Sequence, residues 1–169
     1  MTLHGPDDLL AHLAPMFEAC ARLLATAEGP GDEARIEAAL RARFPDDGPL
    51  LRPLPEALRR GVADGWLCDR GAPPARFSRI AKPGPATANL SVDVVHLTGT
   101  GLRHAHPRGE ITYGVADEAS DPAAVRFDGR GPGFQVRGPG SVHTPTVTGG
   151  GMILLYVLPG GAIDWTPAT

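Results

Sequence analysis

The chain has 169 residues, a formal net charge of −3 and a pI of about 6.0. That length suits one domain able to bury its own core. Lys and Arg total 16 against 19 Asp and Glu, and no basic run forms the footprint of a nucleic-acid binder. No apolar stretch approaches the ~20 residues that span a bilayer, so no membrane partner is expected. Cys20 and Cys68 make no CxxC pair, which fits a reducing compartment better than a disulfide framework. The N-terminal MTLHGPDDLL has early acids and no basic segment ahead of an apolar one, so no signal peptide is read and a cytoplasmic location is expected.

The first third reads as helical. Leu9, Leu10, Leu13, Phe17, Cys20, Leu23 and Leu24 recur at three- and four-residue spacing, one face of a helix. Pro6 with Asp7 and Asp8 marks its start, and Gly29-Pro30-Gly31 its stop. Pro15 falls inside the pattern and is expected to kink or split the helix. A second helix is expected over 32–44, with Ile36, Leu40 and Phe44 on one face, and a short third over 55–63.

From Arg76 onward the texture changes. Gly and Pro punctuate short apolar runs every ~8–12 residues, as in an all-β sandwich or barrel. Strands are expected over 76–81, 91–97, 110–116, 124–127, 133–137, 141–146 and 152–158. Residues 91–97 alternate enough for a half-buried strand. Residues 152–158 do not alternate, which points to burial on both faces. Residues 117–122 read as an exposed turn. The chain thus divides into a helical segment, 1–65, and a β-barrel, 66–169.

The chemistry concentrates in the second part. His104-Ala-His106 places two imidazoles on one side of a strand, because side chains alternate along it. Glu110 follows a Pro-Arg-Gly turn and can re-enter the same space from the next strand. Further on, Gly133 leads through Pro139-Gly140 to His143 at a strand start. Imidazole and carboxylate together suit Zn, Fe, Mn, Ni or Cu. An HxH pair alone is more often two satisfied or surface histidines. The spaced glutamate and the later histidine are what lift this one above coincidence. His4, His12 and His96 match no such pattern.

These two stretches resemble the motifs of the cupin superfamily: HxH, three or four residues, then Glu; and later a Gly, a Pro/Gly turn and a His. The second motif is one residue short in its turn, and Val147 stands where an Asn is frequent. The resemblance implies a mainly β, double-stranded β-helix (jelly-roll) barrel and a divalent metal ion, Zn, Fe, Mn or Ni. Carried over position by position, its ligands would be His104, His106, Glu110 and His143.

A closer resemblance runs through Trp66-Leu-Cys68-Asp69-Arg70-Gly71, Phe77-Ser-Arg79, Ser91-Val-Asp93, His106-Pro-x-Gly-Glu110-Ile, Pro139-Gly-Ser-x-His143-x-Pro-Thr-Val and Leu155-Tyr156-x-Leu-Pro159-Gly160-Gly161. It is similar to the 4-hydroxylaminobenzoate lyase family. That implies conversion of 4-hydroxylaminobenzoate to 3,4-dihydroxybenzoate with release of ammonia. The reaction breaks an N–O bond, adds water beside the nitrogen-bearing carbon and expels ammonia. It needs an acid for the departing hydroxyl and a base for the water, and either a metal-bound water or Glu110 with a histidine could serve. Glu110, His106 and Tyr113 are the catalytic candidates, although Tyr113 alternates away from Glu110 unless a bulge intervenes. The substrate carboxylate calls for an arginine; Arg79 is favoured over Arg76 and Arg103, and Thr144 is a further candidate. Trp66 and Phe77 could wall an aromatic ring, though core packing explains both better. The alternatives are a metal-dependent dioxygenase or isomerase on the same barrel, or a non-enzymatic small-molecule-binding cupin. A homodimer is expected, since the helical segment could cover a partner's sheet edge.

Overall fold

The computed structural model describes residues 2–169. Helix α1 (Pro6–Ala25) begins after Gly5 in extended backbone, with Pro6 in its first turn and Asp7 and Asp8 beside the positive end of its dipole. It passes Pro15 unbroken, against expectation. Pro15 lies on the solvent face, and the carbonyl it leaves without a partner belongs to exposed Ala11. Buried Leu9, Leu13, Met16, Phe17 and Cys20 hold the apolar face continuous across it. Helices α2 (Glu33–Arg43) and α3 (Leu54–Ala63) follow, each within a residue or two of the expected span. No helix among the described residues is long and apolar enough to cross a membrane.

Ten strands follow: β1 (Arg70–Ala72), β2 (Ala75–Ala81), β3 (Leu90–Leu97), β4 (His104–His106), β5 (Glu110–Ala116), β6 (Arg126–Phe127), β7 (Gly133–Arg137), β8 (Ser141–His143), β9 (Val147–Thr148) and β10 (Met152–Pro159). They form a six-stranded antiparallel sheet, β1-β2-β3-β10-β5-β7, and two antiparallel pairs, β4-β8 and β6-β9. The last strand inserts between β3 and β5. That crossed order, with short pairs facing a large sheet, is the jelly roll expected for a cupin-type barrel.

Alternation gives the sheet two different faces. Val92, Val94, Ile111, Tyr113, Val115, Phe134, Val136, Ile153, Leu155 and Val157 point outward and join one core with Leu9, Leu13, Ile36, Leu40, Leu54 and Leu58 of the helices. The helical layer therefore covers this face, and its burial is the main drive to attach the N-terminal segment. The other face looks into the barrel. Across it the register aligns Arg79 with Asp93, Asp93 with Tyr156, Tyr156 with Thr112, and Thr112 with Gln135. A smaller apolar cluster, including Leu97, Val125, Phe127, Val147, Met152 and Leu154, packs below this polar row. Strand β10 is buried on both faces, as its unbroken apolar run predicts.

Strand β7 is also fastened to α2 by polar contacts. Glu37 of α2 accepts two bonds from Arg130, each 2.6 Å, and one of 3.0 Å from the Val136 amide. Arg41 donates to the Phe134 carbonyl at 3.2 Å.

Candidate metal centre and its cavity

His104 and His106 project from β4, and His143 from β8 directly opposite His104 in register. Gly109 makes the turn that follows. Its φ is +83°, and a Cβ there would sit 2.9 Å from the Arg137 carbonyl oxygen, so no L side chain fits without displacing β7. That turn brings Glu110 to the start of β5 beside the histidines.

The three Nε2 atoms converge: His104 to His106 is 3.1 Å, His106 to His143 is 3.0 Å and His143 to His104 is 3.2 Å. The partners on the other ring nitrogens fix two tautomers. His104 Nδ1 faces the Leu102 carbonyl at 2.8 Å, and His143 Nδ1 faces Asp128 Oδ2 at 2.7 Å. Both partners accept, so both Nδ1 atoms carry protons, and in the neutral form of each ring Nε2 is left with a bare lone pair. Burial, then the neighbouring His143 and Arg137, pushes His106 down to about 3. At neutral pH its ring is uncharged.

At least two lone pairs thus point at one spot with no positive charge between them, an arrangement that repels itself and suits a cation. The spacing agrees. A metal about 2.1 Å from each nitrogen, with ligand angles between octahedral and tetrahedral, sets the nitrogens roughly 2.9–3.4 Å apart. The donor set, neutral imidazoles with Nδ1–H groups held by acceptors, is also what such ions select. Among the described residues, the group able to place ligand atoms within 4.8 Å of one another is His104, His106 and His143. Glu110 stands beside that group rather than inside it. Its Oε1 accepts from Thr112 Oγ1 at 2.8 Å, and its Oε2 lies 3.6 Å from His106 Nδ1. Burial raises the pKa of its carboxyl.

Beyond the histidines lies a cavity of about 540 Å³, lined among others by Arg70, Phe77, Arg79, Asp93, Leu102, His104, Glu110, Thr112, His143, Tyr156, Ile163 and Trp165. Its walls are mostly apolar with a few polar groups, the usual make-up of a small-molecule site. Arg79 lines it, with Nε 2.7 Å from Asp93 Oδ1. Asp93 also accepts from Ser91 Oγ at 2.8 Å. Phe77 lines the cavity too, whereas Trp66 packs against the main core instead.

Three expected site residues lie elsewhere. Tyr113 is on the outward face of β5, which pairs without a bulge on both sides; its ring packs against Phe134 at 5.1 Å between centroids and its hydroxyl reaches toward Asp46. Alternation has won there, and Tyr113 has no access to the cavity. Arg103 is exposed, and its guanidinium donates to the carbonyls of Pro167 at 3.1 Å and Ala168 at 3.3 Å. Thr144 is exposed just past His143 and does not line the cavity.

Asp128 and Tyr156 join the site although the sequence names neither as a site residue. Asp128 sits in an Asp-Gly turn, a signal that reads only as a turn. Its backbone is left-handed (φ +48°), and its carboxylate accepts from His143 Nδ1, Arg137 and the Thr146 amide. Burial alone would raise its pKa, but these bonds and the nearby charges hold it below the usual aspartate range. It therefore stays anionic and fixes the His143 ring. Asp128→Asn is expected to weaken metal binding about 10–100-fold, the usual size of such outer contacts. Competition with a chelator measures this, and unchanged affinity would show that Asp128 does not orient His143. Tyr156 hides in a run where every residue is apolar or aromatic, so its direction is set only by knowing the two strands beside it.

A jelly-roll barrel with three imidazoles gathered at the head of a cavity defines a cupin-type protein with a candidate metal centre. The family model described as "PnbB: 4-hydroxylaminobenzoate lyase" matches residues 18–165. The chain belongs to the 4-hydroxylaminobenzoate lyase family. It is 33% identical over 115 residues to a 4-hydroxylaminobenzoate lyase of Nocardioides sp. (strain LMS-CY), covering 64% of this chain and 68% of that one. Among solved structures, it is similar to an RmlC-like cupin protein from Ralstonia eutropha JMP134, at 16% identity and a TM-score of 0.39, over 53% of this chain and 58% of that chain. It is also similar to a chain from the crystal structures of the DMSP lyases RdDddP and RnDddQII, at 15% identity and a TM-score of 0.38, over 96% of this chain and 100% of that chain.

Proposed function

We propose that the protein converts 4-hydroxylaminobenzoate and water to 3,4-dihydroxybenzoate and ammonia in the cavity at the three histidines. The observation that carries this is the convergence of His104, His106 and His143 on a cavity that also holds a buried carboxyl, Glu110, and a cation, Arg79. Membership of the family supports this choice of substrate.

The balance is internal. The N–O bond breaks and its oxygen leaves as water. One water adds to the ring at C3 and another at C4, and the nitrogen departs from C4 as ammonia. One water is consumed overall. The electrons that reduce the N–O bond come from the ring carbon that gains a hydroxyl, so no external oxidant is needed.

Arg79 binds the substrate carboxylate. Asp93 fixes one edge of its guanidinium, leaving the remaining N–H groups for a carboxylate, and Arg70 adds charge on the same wall. Burial raises the Glu110 pKa and so favours the form that bears a proton; that form gives its proton to the departing hydroxyl, and the resulting carboxylate then takes a proton from the water that attacks the ring. Thr112, whose hydroxyl donates to Glu110 Oε1 at 2.8 Å, holds that carboxyl in place beside His106. Tyr156, whose pKa burial lifts well above the ordinary tyrosine value, keeps its proton and donates a hydrogen bond to the substrate. A divalent ion held by His104, His106 and His143 would act as a Lewis acid in this site.

The test is incubation with 4-hydroxylaminobenzoate under nitrogen, after loading with Zn, Fe, Mn or Ni in turn. One ammonia and one 3,4-dihydroxybenzoate per substrate are expected. Turnover only in the presence of oxygen would point to a dioxygenase, and no turnover with any of the four metals would sink the proposal.

A further inference from the structure

Trp165 is unusual: a large aromatic side chain left 57% exposed. Its ring centre lies 5.0 Å from that of His104, and it lines the cavity with Ile163. Two other exposed apolar side chains, Phe77 and the 76% exposed Leu102, line the same cavity. Scattered exposed apolar residues need no explanation, but three gathered on one cavity mark a surface that a ligand covers.

The backbone carrying Trp165 is tied down. Asp164 exchanges two backbone bonds with Ala105, the residue between the two histidines of β4, at 2.8 and 3.0 Å. Its side chain accepts from the Thr166 amide at 2.9 Å. Beyond it, Arg103 donates to the carbonyls of Pro167 and Ala168. Arg103 spends its charge on holding the segment after Trp165 against the start of β4. The indole is thus fixed relative to the metal centre from both sides in sequence.

We infer that Trp165 is the aromatic wall of the substrate site, against which the ring of a monocyclic aryl acid packs beside the histidines, and that Arg103 is a positioning residue that holds this wall in place. This rests on the proposed function for the identity of the substrate but not for the class of ring that packs there. An offset or edge-to-face ring pair with an indole favours an aromatic over a saturated ring of the same size.

Two measurements test it. In steady-state kinetics with 4-hydroxylaminobenzoate, Trp165→Ala is expected to raise KM tenfold or more with kcat within threefold. Trp165→Phe should recover most of that loss, and Arg103→Ala should raise KM severalfold. An unchanged KM in Trp165→Ala would overturn the inference while leaving the proposed function intact. In the second measurement, Trp66→Phe leaves Trp165 as the remaining tryptophan, and its emission is followed on adding benzoate, 3,4-dihydroxybenzoate or cyclohexanecarboxylate to the metal-loaded protein. Saturable change with the two aromatic acids and none with the saturated one supports the wall, even if no turnover is found and the proposed function falls. Equal response to all three, or none to any, would overturn it.

Discussion

Replacing His106 by alanine is expected to lower metal affinity about 100-fold or more and to abolish turnover while the protein stays folded. His106 is fully buried, and its Nε2 lies 3.1 Å from that of His104 and 3.0 Å from that of His143. Without it two nitrogen donors remain, and changes merely in the outer contacts of a metal site already cost about 10–100-fold. The fold should survive because the convergence of lone pairs on one point is not what holds the barrel. Strands β4 and β8 pair through backbone bonds, and the two main apolar clusters do not include this ring. Metal analysis after dialysis, together with far-ultraviolet circular dichroism, checks both halves. A folded variant with full metal content would sink the ligand assignment, and with it the placing of the reaction.

The second large effect concerns stability. Glu37→Ala is expected to cost about 2–3 kcal/mol, because it removes a paired, hydrogen-bonded charge and leaves the Val136 amide without a partner. Arg130 is half exposed and can turn to water, which keeps the cost below that of a fully buried pair. For a chain of this size the melting temperature should fall by about 5–10 °C. The effect should also depend on pH. Burial pushes the Glu37 carboxyl upward, but the Arg130 hydrogen bonds, the Val136 amide and the Arg130 charge outweigh it and hold its pKa below the ordinary glutamate value. A group with a lowered pKa in the folded state stabilises at pH above its unfolded value, about 4.3, and loses that contribution as the pH falls through the folded value. The gap in melting temperature between wild type and Glu37→Ala should therefore be full at pH 7 and shrink below about pH 4. A gap that does not change with pH would mean that the loss comes from packing and not from the charge.

Most of the fold was legible because its signals are local. The three-and-four spacing of Leu9, Leu13, Phe17 and Cys20, and the Gly and Pro breaks after Arg76, both report structure within a few residues. The short strand β9 and strand β1 were not legible, since two or three residues carry no period. The histidine triad was visible because alternation and turns fix where each imidazole points, even 37 residues apart in the chain. The rest of the site depends on register. Ser91 and Asp93 read like the wet side of a half-buried strand, yet both are buried because that side faces the barrel interior. Asp128 is tied to His143 only once its turn meets the end of β8, and nothing about its neighbours announces that. Arg103 looked like a substrate arginine because it adjoins the first histidine. Its side chain instead reaches carbonyls more than sixty residues later, a partner no spacing rule would suggest.

Strand β10 serves two masters through alternate residues. Ile153, Leu155 and Val157 grip the helices, while Leu154 and Tyr156 form the floor over which a ligand would lie. Because the two sets never share a neighbour on the same side, descendants of this sequence are free to drift in ligand preference by exchanging one set while the other goes on anchoring the helical cover. Innovation and robustness are kept in separate hands along eight consecutive residues.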